Sequence, residues 1–122
     1  MSASINKLMD SDGERIVYTA SFRRMIEDHL DYLRNHKGTE ILGIRPDVAW
    51  RFHGDLWGVL LHYEFRRDMF WVTMRVSGYM SPEEFDYRDE QILVPSSTPF
   101  ARLIRIHRAM KKLERKEKLN AA

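Results

Sequence analysis

Five histidines, His29, His36, His53, His62 and His107, raise the question of a metal site, and the absence of cysteine leaves only imidazole and carboxylate to build one. Their spacing argues against it. His53 and His62 stand nine residues apart with no carboxylate at zinc-ligand spacing, and neither HExxH nor HxH occurs. His29 falls on the apolar face of an expected helix. His36 falls at a helix end, where an imidazolium suits the dipole, and His107 falls on the docking face of a C-terminal helix. Nucleophilic chemistry fares no better: Ser21, Ser81, Ser96 and Ser97 sit in cap and turn positions, and there is no GxSxG elbow. The carboxylates of SPEEFDYRDE read as a charged loop around two aromatics, not as a paired acid and base. Gly54 and Gly58 flank DLW, which is no phosphate cradle. The chain is therefore expected to be non-enzymatic, without metal or cofactor.

The strongest chemical signal is positive charge near the C-terminus. Arg102, Arg105, Arg108, Lys111, Lys112, Arg115, Lys116 and Lys118 are opposed only by Glu114 and Glu117. Three readings stand: a solvated helix end favoured by the macrodipole, a docking helix for an acidic protein, and a salt-dependent contact with nucleic acid. The weight falls on the first two, because charge blocks at chain ends are usually tails.

These residues need elements to position them. The stretch from Ile44 to Val94 holds all three tryptophans and four of the six phenylalanines, so the core is expected there. Residues 1–18 lack apolar periodicity and read as a flexible arm. Phe22, Met25, Ile26, His29, Leu30 and Leu33 follow one helical face, which predicts an amphipathic helix over 19–38, started by Thr19 or Ser21 and ended at Gly38. Thr39 to Ile44 reads as a strand. PDVAWRFHG is a short helix stopped by Gly54, and Asp55 caps a second, LWGVLLHYEF. MFWVTMRVSGY allows a strand, but its spacing favours a helix ended by Gly78. SPEEF is one helical turn opened by Ser81 and Pro82. Gln91 to Val94 is a second strand, and Thr98 with Pro99 starts the basic helix over 97–122. Its buried face is Phe100, Leu103, Ile104, His107 and Met110, and its exposed end is expected to fray.

Composition bounds the class. At 122 residues, 43% hydrophobic and 31% charged, the chain is one ordinary globular domain. Its start has no signal-peptide pattern, and no apolar run reaches the roughly 20 residues a bilayer span needs. A formal charge of +2 does not by itself imply nucleic acid.

The order strand, helices, strand resembles the β-α-α-β pattern of LysM modules. More closely it is similar to the LysM-like baseplate wedge proteins of tailed bacteriophages. Ala49, Gly54 and Asp55 match the first segment, Phe70, Trp71 and Val72 the aromatic helix, and Pro82, Leu93, Val94 and Pro95 the close into the second strand. LWGVLLHYEFRR is an insertion relative to the minimal module. Gly78 replaces the usual asparagine, and Asp89 and Glu90 stand where a glycine usually precedes the second strand. The resemblance implies an α+β fold: a small LysM-like core over 39–96 with two short antiparallel strands, between an added N-terminal helix and a basic C-terminal helix. It implies a structural component of a tail baseplate, assembled in the host cytoplasm into the virion. Such a protein would join other baseplate proteins, with a homo-oligomer in a symmetric assembly also open. Trp57, Tyr79, Phe85 and Tyr87 are the expected exposed aromatic anchors, with Arg102, Arg105, Arg108 and Lys112 as basic contacts. A glycan-binding LysM-type module and a small nucleic-acid binder using the C-terminal helix remain the alternatives.

Overall fold

The computed structural model describes residues 15–121. The arm expected over 1–18 lies outside them up to residue 14. Its last four residues, Arg15–Tyr18, form a 3-10 turn that buries Val17, so this end is docked.

The fold is α+β and mostly helical. In chain order come α1 (Ala20–Asp28), α2 (Leu30–Asn35), β1 (Glu40–Gly43), α3 (Pro46–Arg51), α4 (Leu56–His62), α5 (Phe70–Val76), β2 (Gln91–Val94) and α6 (Ser97–Ala121). Two further 3-10 turns cover Arg67–Met69 and Pro82–Glu84. No described helix is long and apolar enough to cross a membrane.

The expected helix over 19–38 is two helices, and His29 is the reason. Its Nδ1 donates to the Met25 carbonyl at 2.7 Å. That oxygen is the one the His29 amide needs to continue the ladder, so the amide turns to Ile26 instead, at 3.0 Å. Thr19 caps α1 by accepting from the Phe22 amide. Gly38 does not terminate α2, which ends at Asn35. The Thr39 hydroxyl donates to the orphan Leu33 carbonyl there.

The β-sheet has two antiparallel strands, with Glu40 paired to Val94 and Gly43 to Gln91. The other edge of β2 is closed by one side chain. Ser77 Oγ accepts from the Leu93 amide at 3.0 Å and donates to its carbonyl at 3.1 Å. β2 thus divides two apolar clusters. Ile92 joins Ile44, Val48, Leu56, Leu60, Phe70 and Phe85 on one side. Leu93 packs against Phe22, Ile26, Leu33, Val72, Phe100 and Leu103 on the other. α5 serves both clusters, since Phe70 and Met74 face the first and Val72 and Val76 the second.

Capping sets the helix ends. Asp55 Oδ1 accepts from the Gly58 amide at 3.0 Å to start α4. A Cβ at Gly58 would run into the Phe52 ring and the Asp55 carboxylate, so the cap and the close approach of Phe52 both need glycine there. α5 ends in the Schellman arrangement, with Gly78 at φ +95 and the Tyr79 amide donating to the Met74 carbonyl at 3.0 Å. α4 ends the same way three residues before its expected limit at Phe65. There Glu64 takes the left-handed position at φ +62, and the Phe65 amide donates to Leu60 at 2.9 Å. α6 starts at Ser97, two residues before Pro99, with Ser96 Oγ in place of Thr98 at the cap and accepting from the Thr98 amide. It runs unbroken through the segment expected to fray, about 37 Å for its 25 residues. Its buried face is shorter than expected, because Met110 is 51% exposed.

Candidate functional site

Of the four expected aromatic anchors, only Tyr87 stands at the surface. Phe85 is 1% exposed, so it is core and offers nothing to a partner. Its carbonyl also accepts from the Gly54 amide at 2.7 Å, tying the loop before β2 to the α3–α4 turn. Tyr79 is half-buried against the Phe85 ring, and its hydroxyl donates to Asp89 Oδ2 at 2.7 Å. Burial first, then that hydrogen bond and the charges of Asp89, Asp86 and Glu84, push its pKa well above the usual tyrosine value. Tyr79 therefore organises the loop as a neutral phenol. Trp57 is half-buried with its ring 5.4 Å from that of Phe70, lining a groove beside Arg23 and Trp71.

Tyr87 instead meets a tryptophan that sequence reasoning did not single out. Trp50, at the end of α3, is 66% exposed, and its ring stands edge-on to Tyr87 at 4.7 Å and 79°. The position looked like core because it carries the largest apolar side chain on a short helix. Val48 and Ala49 take that face, however, and α3 turns Trp50 outward. Its exposure follows from which face of α3 is buried, which sequence spacing alone does not specify. His53 completes the corner: its Nδ1 accepts from the Tyr87 amide at 3.1 Å, with the rings 5.4 Å apart. The Arg88 guanidinium lies 5.1 Å over the Tyr87 ring and donates through Nε to its hydroxyl at 3.2 Å. Indole, phenol, imidazole and guanidinium are thus held at one exposed point by their mutual contacts.

The basic residues do not form one stripe. Arg102, Arg105, Arg108 and Lys112 are all exposed on α6. Arg105 and Arg108 line a depression of about 550 Å³ together with Arg66, while Arg102 borders a separate hollow with Tyr32 and Ile106, and Lys112 lines neither. Arg66 was legible only as part of the polar break RRD. That break also holds Asp68, 3% exposed, whose carboxylate accepts from Arg66.

The fold also brings together a serine and a histidine 86 residues apart in sequence, with Ser21 Oγ 3.0 Å from His107 Nε2. A neutral imidazole beside a hydroxyl is the start of a nucleophilic dyad. The ring stands edge-on to Phe22 at 5.6 Å, and its buried Nδ1 has no hydrogen-bond partner, so no carboxylate orients it as a triad requires. The pair ties α1 to α6. Among the described residues no three histidines or carboxylates are grouped to hold a metal ion. No family model matches the chain, and neither a curated protein nor a solved structure matches it.

Proposed function

We propose that this chain is a non-enzymatic structural component of a bacteriophage tail baseplate, a LysM-like wedge protein that joins neighbouring subunits in the virion through protein–protein contacts. The observation that carries the reading is the Trp50–Tyr87 corner. Aromatic and arginine side chains dominate the energetics of protein interfaces, and a corner already held by ring contacts and by Arg88 loses little freedom on binding. The element order supports the LysM-like assignment, with β1 and β2 antiparallel and α3 and α5 between them as the two helices of the module. α4 is the insertion.

The test is co-expression of the tagged chain with tail structural proteins. The complex is expected to survive about 1 M salt, where charge contacts are screened beyond roughly 3 Å. Trp50→Ala together with Tyr87→Ala is expected to weaken it by about 2 kcal/mol or more, roughly 30-fold. A chain that co-purifies only with nucleic acid, and releases it as salt rises, contradicts the reading.

A second reading rests on the same corner, because exposed indole and phenol rings can also stack on sugar rings, as a glycan-binding LysM-type module would require. Titration with chitin oligomers and peptidoglycan fragments separates the two. The assembly reading predicts no quenching of Trp50 fluorescence by either.

A further inference from the structure

α6 outruns the body it packs on. Phe100, Leu103, Ile104 and His107 are buried, but every residue from Arg108 to Asn120 is exposed, so a helical arm of about 20 Å projects from the protein. A helix of that length is marginal in water by itself, because packing of an apolar face supplies most helical stability.

The arm has an apolar face, and it is open. Ile106, Met110 and Leu113, at 39%, 51% and 58% exposure, are spaced four and three residues apart and so line one side of α6. Glu117 ends the line one turn later. Tyr32 of α2 is also exposed and shares a hollow of about 220 Å³ with Ile106, Leu103 and His29. A second hollow of about 340 Å³ continues past Met25 and Met110, and His29 lines it too. Together they make a groove walled by α1 and α2 on one side and by α6 on the other. An apolar line this narrow matches the seam that one helix offers another, not the broader face that a helix buries in its own core.

Charge selects the occupant. Arg102, Arg105, Lys112 and Lys116 form a row along α6 beside the seam, at intervals of three, seven and four residues. All four are exposed, and none of their side chains makes a hydrogen bond or ion pair among the described residues. The other flank is mixed, with Asp28 and Glu114 beside Arg24 and Lys111, and Glu114 already pairs with Lys111 at 3.7 Å. A second copy laid antiparallel on the seam would bring the basic row against itself, which is repulsive. Nucleic acid would neutralise the row but leave Ile106, Met110 and Leu113 uncovered. A helix with apolar residues at the same three- and four-residue spacing, and acids along one flank, covers both features.

We propose that this groove docks an amphipathic helix with an acidic flank, contributed by a partner protein. The inference goes beyond the assembly reading and does not depend on it, because it fixes the chemistry of a partner and not its source. None of the groove residues belongs to the Trp50–Tyr87 corner.

The probe is a synthetic peptide of about three heptads, with leucine at the seam positions and glutamate on the flanks, and its counterpart carries lysine in place of glutamate. Fluorescence anisotropy of each labelled peptide with the full chain gives the affinities. The glutamate peptide is expected to bind saturably below about 0.1 mM and at least about tenfold more tightly than the lysine peptide. Met110→Ser with Leu113→Ser should weaken binding at least about tenfold. Lys112→Glu with Lys116→Glu should reverse the preference between the two peptides. All four substituted positions are exposed, and circular dichroism checks that each variant is folded. Failure of the glutamate peptide to bind overturns the proposal, as does binding that is equal for both peptides or indifferent to the serine pair. If duplex DNA binds in place of the glutamate peptide, with no effect of the serine pair, the row is a nucleic-acid contact and the proposal falls. If Trp50→Ala with Tyr87→Ala abolishes peptide binding while the seam variants keep it, this inference fails and the assembly reading survives. If the seam binds the peptide as expected but the chain joins no tail protein, the assembly reading fails alone.

Discussion

Burial of His107 between α1 and α6 makes stability depend on pH. The ring is 5% exposed, and desolvation, reinforced by the Lys111 charge and opposed by Glu114, lowers its pKa below the ordinary 6.5. The sign follows from linkage: as pH falls below about 6.5, the unfolded chain binds a proton at this position that the folded chain resists. The contribution is complete above the unfolded value and is lost progressively as pH drops toward the depressed folded value. Protonation also turns Nε2 into a donor to the Ser21 hydroxyl and places a cation edge-on to Phe22. Thermal unfolding at pH 7.5 and 5.5 should therefore show a larger fall in Tm for the wild type than for His107→Gln. Equal falls would mean that another group sets the dependence. At this scale the sequence was only partly legible. His107 was assigned correctly to the buried face of its helix, but nothing in the sequence pairs it with Ser21. Phe85 and Tyr79 were misjudged for a related reason. They sit in a segment dense with acids, which reads as solvated loop, while the loop folds back so that Phe85 fills the core and Tyr79 bonds to Asp89.

Helix ends show where local sequence signals suffice and where they fail. Gly78 ends α5 where a glycine was expected to, because the left-handed position costs glycine little. α4 ends in the same hydrogen-bonded arrangement but with Glu64 in that position, so no glycine marked the stop. The left-handed region costs an ordinary residue about 1 kcal/mol or more. Glu64→Gly is accordingly expected to raise stability by up to about 1 kcal/mol, partly offset by the greater freedom of glycine in the unfolded chain. Glu64→Val should lower it by about 1 kcal/mol or more, since β-branching makes this conformation worse. Chemical denaturation of the three proteins decides the point, and an order other than Gly, Glu, Val would contradict it. The split between α1 and α2 belongs to the same scale. Periodicity recorded the shared face of Phe22, Ile26 and Leu33 but not the competition of the His29 ring for the Met25 carbonyl.

At the scale of the whole molecule, the two strands and the apolar clusters on either side of β2 make one body in which α5 is common to both. Polar contacts lock the same join. Arg34 donates to the carbonyls of Val76 and Arg75, each at 2.9 Å, and Arg75 pairs with Glu27 on α1 at 2.7 Å. Strand positions and most helices were readable because their apolar spacing and caps are local. The assembly of side chains into surfaces was not, since Trp50 meets Tyr87, and Arg66 comes to line one depression with Arg105, only through tertiary packing. The exposed aromatic corner is the surface we propose for contacts with neighbours. The most direct measurement is quantitative mass spectrometry of purified tail particles assembled in cells that express the tagged chain. A baseplate component should be present at a fixed ratio to the other tail proteins, retained through high-salt washing and lost when Trp50 and Tyr87 are both replaced by alanine. A chain absent from the particles, or present at a ratio that drifts with washing, would contradict the account.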